Sequence, residues 1–80
     1  MSEDPPIRPE DIGRLAEHSL KRYSTEFGLP LKHLSSGAMA ALQAYSWPGG
    51  LRELSNVVER AILLTDDKEL LASDLGLPNP

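Results

Sequence analysis

The sequence predicts an all-α fold, a small bundle of three helices plus a short fourth. Three observations carry that reading. Apolar residues recur at steps of three and four through three separate segments, which is the period of one helix face. Proline and glycine cluster between those segments, at Gly28–Pro30 and Pro48–Gly50, where they end helices. No segment alternates apolar and polar residues as a half-buried strand would, and no unit repeats.

Residues 1–8 hold two prolines before Arg8 and read as an extended segment. The first helix is expected over Pro9–Phe27. Pro9 suits its first position, and Glu10 and Asp11 complement the positive end of the helix dipole. Ile12, Leu15, Ala16, Ser19, Leu20, Tyr23 and Phe27 share the inward face. Glu10 with Arg14, and Glu17 with Lys21, have the spacing of surface ion pairs worth a few tenths of a kcal/mol. Gly28 and Pro30 end the helix. Ser35 is the expected N-cap of the second helix, with Leu34 before it and Ala38, Ala41, Leu42 and Tyr45 facing inward. "WPGG" stops it. The third helix is expected from Leu51 to about Leu64, with Gly50 as N-cap and Glu53 reaching back as in a capping box. Leu54, Val57, Val58, Ala61 and Ile62 make the cleanest apolar stripe of the chain. "TDDK" is a turn. "KELLASDLG" gives one short last helix, with Ser73 or Asp74 starting another turn, and residues 78–80 form a tail. The helical unit therefore spans 9–77.

The totals exclude several functions. Eighty residues suffice for one small domain, and 40% hydrophobic with 25% charged residues is ordinary for a soluble one. With no cysteine there is neither a disulfide framework nor a thiolate metal site. His18 and His33 are too far apart to suggest zinc; His18 falls on the polar face of the first helix and His33 in a loop. Asp66 and Asp67 lack the spacing of a calcium loop. No apolar run approaches the roughly 20 residues of a membrane span, and no signal peptide is visible, so a cytoplasmic protein is expected. No nucleophile–base arrangement and no GxxxxGK[ST] phosphate loop can be found.

The informative stretch is "WPGGLREL". A helix N-terminus favours acids, yet Arg52 stands in the first turn of the third helix. Two readings are open. Free N–H groups and the guanidinium fork together suit a phosphate. Alternatively Arg52 is solvated, or pairs with Glu59 or Asp11, at a dipole cost of only ~0.3–1 kcal/mol. Trp47 reads as a core plug whose indole N–H bonds a carbonyl, ahead of a ligand-stacking role. The short turn between the second and third helices also fits a helix–turn–helix DNA reader. DNA reading sits poorly on a chain of net charge −4, because phosphate contacts dominate DNA affinity; a free-standing helical interaction module stays open as the other alternative.

The order of segments resembles the C-terminal helical lid of the AAA+ ATPase domain in sigma-54-dependent transcriptional activators. "RPEDIGRLAEHSLKRYSTEFGLP", "LSSGAMAALQAYSWPGGLRELSNVVERAILL" and "LLASDL" carry the resemblance from Arg8 to Leu77. The family pattern Trp-Pro-Gly-Asn-Val/Ile-Arg-Glu-Leu is answered by "WPGGLREL", and its Asn-Val-(Val/Ile)-Glu-Arg run by "NVVER". The resemblance implies that Arg52 is the sensor II arginine, reaching from the lid towards ATP on the larger α/β subdomain. It also implies that Ile12 lies near the adenine.

The implied partners are that α/β subdomain, neighbouring protomers of a ring, and, through the parent protein, sigma-54 RNA polymerase. Magnesium would be held by the rest of the domain, and no direct DNA binding by this segment is implied. The Walker motifs, the arginine finger, the polymerase-contacting loop and the DNA-binding helices are absent. The chain thus reads as part of a longer AAA+ ATPase and is expected not to hydrolyse ATP by itself. Gly50 stands where the family has Asn, and Leu51 where it has Val or Ile. Glycine caps within a few tenths of a kcal/mol of Asn but loosens the turn.

Overall fold

The computed structural model describes residues 7–77. Of the N-terminal segment expected over 1–8, only residues 7 and 8 fall within that range, and the tail at 78–80 lies outside it. The elements are α1 (Pro9–Phe27), β1 (His33–Leu34), α2 (Ser36–Ala44), α3 (Gly50–Leu64), β2 (Glu69–Leu70) and α4 (Ala72–Leu75). The α1 helix packs on α2 and α3, and α4 closes the bundle against α2 and α3.

The helices start and stop where local chemistry dictates. Gly28 sits in the left-handed region at φ 67°. Its N–H donates to the Thr25 carbonyl and that of Leu29 to the Ser24 carbonyl. This double bond pattern satisfies the last carbonyls of α1, and glycine adopts the required conformation without a Cβ penalty. The Ser35 hydroxyl accepts the Ala38 N–H at 3.0 Å, as a serine N-cap should. The last helix is a single turn, Ala72–Leu75, with Ser73 and Asp74 inside it. Leu71 is the N-cap, and the Asp74 carboxylate accepts its N–H at 2.8 Å, so the acid acts from inside the first turn. Arg14 pairs with Asp11 at 3.0 Å rather than with Glu10.

Most of the core lies on the stripes the periodicity picks out. Ile12, Ala16 and Leu20 of α1 meet Ala38 and Leu42 of α2 and all five stripe residues of α3, with Trp47, Leu70 and Leu75, which lie on no stripe, completing the cluster. Each fully buried Leu or Ile contributes about 1.5–3 kcal/mol relative to exposure. Phe27 shares the stripe by angle but is exposed, stacking on Tyr23 at the end of the helix, where the chain turns away at Gly28.

One expectation is corrected. The chain contains a two-stranded parallel ladder, pairing His33 with Glu69 and Leu34 with Leu70. Its hydrogen bonds run from His33 N–H to the Lys68 carbonyl and from Ser35 N–H to the Leu70 carbonyl, both 2.9 Å. Two residues per strand are too few to show a period of two, so no alternation marks them. Parallel strands need a long crossover, and α2 with α3 supply it. Beside the ladder, Lys32 is only 7% exposed, and its ammonium donates to the Asp67 carbonyl at 2.6 Å. Lys32 stands in "LPLKHL", where no helical or strand period marks this lysine as interior.

Candidate functional site

The turn between α2 and α3 is held by several side-chain hydrogen bonds and an aromatic contact. Helix α2 ends with unsatisfied carbonyls, as every helix does. One of them, that of Leu42, accepts the Trp47 indole N–H at 2.7 Å. The ring is buried at 4% exposure, which bears out its reading as a core plug bonded to a carbonyl. Trp47 also has φ 54°. A bulky side chain in the left-handed region is a genuine outlier and is retained only where its surroundings hold it. The indole hydrogen bond is one such hold. The other is Tyr45, whose ring meets Trp47 edge to face with centroids 4.8 Å apart.

Two glycines follow for different reasons. Gly49, not Gly50, is the N-cap of α3. A Cβ on Gly49 would lie 2.8 Å from the Glu53 Cβ and 3.2 Å from its Oε1, so the acid occupies the space a side chain would need. Gly50 is buried and left-handed at φ 64°, which rules it out as an ordinary extended N-cap. Asparagine is among the few L-residues that tolerate this conformation, which accounts physically for the Asn of the resembling pattern.

Glu53 reaches back over the turn, as the capping-box spacing suggests, but its target is the Gly49 N–H at 2.8 Å. Its second oxygen accepts the Tyr45 hydroxyl at 2.7 Å. Sequence reasoning placed Tyr45 only on the inward stripe of α2 and missed this bond. The available signal was a phenol and a carboxylate flanking a Pro-Gly-Gly turn.

That hydrogen bond raises the Tyr45 phenol above its ordinary value of 10.0, with burial and the negative charge of Glu53 adding to it. A raised folded-state value means that the folded chain holds this proton more tightly than the unfolded chain does. The resulting stabilisation is complete below pH 10.0 and is lost as pH rises through the folded-state value. In a Tyr23→Phe variant, which leaves Tyr45 as the single tyrosine, the midpoint of the phenolate absorbance should lie above pH 10.0. Adding Glu53→Ala should bring it down. A midpoint unmoved by Glu53→Ala would show that the bond does not form in solution.

Arg52 is exposed on the first turn of α3, beside Glu53 and above this braced turn. Ile12, the other predicted site residue, is 1% exposed and sits in the core on α1. The two are not brought together on one surface. His18 and His33 are both exposed. Among the described residues no group of three or more His, Asp or Glu is placed to hold a metal, and no helix is long and apolar enough to cross a membrane.

A family profile described as an AAA+ ATPase lid domain matches residues 7–78, nearly the whole chain. The chain belongs to the AAA+ lid family. The sigma54-dependent transcriptional activator SfnR of Pseudomonas putida is 44% identical over 72 residues, covering 90% of this lid and 20% of SfnR. The nitrogen fixation protein VnfA of Azotobacter vinelandii is 46% identical over 65 residues, 79% of the lid and 12% of VnfA. NtrX from Brucella abortus, crystallised in complex with ATP, superposes with a TM-score of 0.80 at 40% identity. That match covers 91% of the lid and 19% of the NtrX chain. The lid thus spans a fifth or less of each of these relatives, and its resemblance to lids of sigma-54-dependent activators is shown by sequence and fold alike.

Proposed function

We propose that this lid closes over ATP bound to the α/β subdomain of a sigma-54-dependent transcriptional activator in the cytoplasm, and that Arg52 senses the nucleotide phosphates. The observation that carries the reading is the exposed arginine on the first turn of α3, at a helix end whose N–H groups and dipole favour an anion. The family membership supplies the context. The NtrX relatives crystallised with ATP and with ADP make a nucleotide the natural anion.

In this reading the nucleotide pulls the lid towards the larger subdomain, a hinge closure around a ligand. The rigid bundle passes that motion to neighbouring protomers of a ring and so to sigma-54 RNA polymerase. The magnesium ion and the phosphate loop belong to the rest of the ATPase domain. The lid supplies a positive charge of fixed aim, which is worth most where charge develops on the transferred phosphate. Ile12, beneath the surface of α1, contributes to the adenine pocket by fixing where α1 lies. The test is ATP turnover by the full-length parent protein carrying Arg52→Ala. Unchanged turnover would sink the sensor role.

A further inference from the structure

We propose that Glu53 and Tyr45 form a latch that fixes the first turn of α3, and so act as positioning residues for Arg52; this rests on the phosphate-sensing role proposed for that arginine.

The geometry carries the latch. Glu53 is the residue next to Arg52, so the same helical turn carries both. Its two carboxylate oxygens are engaged in different directions. One accepts the Gly49 N–H at 2.8 Å, ahead of the helix, and the other accepts the Tyr45 hydroxyl at 2.7 Å, at the end of α2. A helix cap alone needs only the first bond. The second ties the start of α3 to the preceding helix across the turn. The carboxylate can lie there only because position 49 has no side chain, since a Cβ would come within 2.8 Å of the Glu53 Cβ. Tyr45 is itself braced, edge-on against Trp47, whose indole is bonded to the Leu42 carbonyl. The chain from the core to the arginine is therefore continuous: Leu42, Trp47, Tyr45, Glu53, Arg52.

Such support matters because arginine is long and its tip magnifies any tilt of its helix. A functional group has to be held within about 0.5 Å and 10–20° of its working geometry, and an error of about 1 Å costs on the order of a hundredfold. Two glycines in succession would otherwise leave the helix start free to swing. The latch compensates for the freedom that Gly50 introduces.

The experiment is a double-mutant cycle on ATP turnover by the full-length parent protein. Glu53→Ala and Tyr45→Phe are each made alone and in the Arg52→Ala background. Tyr45→Phe removes a single oxygen and keeps the ring on Trp47, so it tests the latch even if Glu53→Ala fails to fold. We expect Glu53→Ala to lower kcat/KM for ATP about tenfold, the scale of one hydrogen bond to a charged group. Tyr45→Phe should lower it about threefold, and Glu53→Gln, which keeps an acceptor for Gly49, should restore most of the loss. In the Arg52→Ala background both Glu53→Ala and Tyr45→Phe should have no further effect, because there is nothing left to aim. Equal losses in both backgrounds, or full activity in Glu53→Ala and Tyr45→Phe while Arg52→Ala is impaired, would overturn the latch. Full activity in Arg52→Ala itself would instead overturn the sensor role on which it rests.

Discussion

Trp47→Ala is expected to destabilise the lid by about 3–5 kcal/mol, the usual range for removing a buried aromatic ring. Three losses combine. The cavity left by a side chain of 4% exposure lies between helices that cannot close on it fully. The Leu42 carbonyl loses its donor at the end of α2, and Tyr45 loses the edge-to-face partner that holds it beneath Glu53. Alanine does not relieve the left-handed backbone, because its Cβ meets the same clash. A domain of this size has a total stability on the order of 4–12 kcal/mol, so the variant should lose from about a quarter to all of it and unfold outright only at the low end of that range. Trp47→Phe separates the terms. It keeps most of the bulk, loses the N–H, and should cost about 1–3 kcal/mol for the orphaned carbonyl. Urea melts of the 80-residue chain followed by circular dichroism measure both. If Trp47→Ala melts within a few degrees of the parent, the plug is not a source of the fold's stability.

On the phosphate-sensing role proposed for Arg52, Arg52→Ala should act the other way round, leaving the fold intact and lowering ATP turnover by the AAA+ protein proposed to carry this lid. An exposed residue of the first turn changes stability by less than about 1 kcal/mol, since both surface ion pairs and dipole effects are of that size. Loss of a charge-assisted hydrogen bond to phosphate is worth about 1.5–3 kcal/mol, or roughly ten- to a hundredfold in ATP turnover. Arg52→Lys should recover only part of it, because the ammonium keeps the charge but not the planar fork. Turnover and a melt of the isolated lid are needed together. A fall in lid stability well beyond 1 kcal/mol would reassign Arg52 to a structural role and remove the argument for phosphate.

The sequence announced the helices because they are amphipathic and punctuated. The stripe Leu54, Val57, Val58, Ala61 and Ile62 is buried throughout, and Ser35 and Gly28 cap as their residue types require. What it concealed was non-local. The β1–β2 ladder joins pairs of residues too short to carry a pattern, and Lys32 looks like any surface lysine until a distant carbonyl meets it. At the candidate site the position of Arg52 and the backward reach of Glu53 were both readable from spacing. The change of N-cap from Gly50 to Gly49 was not, because it depends on which of two adjacent glycines takes the left-handed conformation. The Tyr45 bond was hidden for a related reason: an inward stripe says which way a residue faces, not what its hydroxyl finds there.

The junction at Lys32 also bears on how long the lid survives once folded. Its ammonium and the Asp67 carbonyl are 35 positions apart, whereas the hydrogen bonds within each helix are local. Helices form within about a microsecond, but closing a loop of that length has an entropic cost that must be met before the contact returns anything. A bond of this kind should therefore form after the folding barrier. Lys32→Met should accelerate unfolding and leave the folding rate nearly untouched, so that a chevron plot moves on one limb only. A slower folding limb would place the junction in the nucleus instead. With the effect confined to unfolding, the interior lysine lengthens the lifetime of the folded lid without changing the speed at which each new chain reaches it.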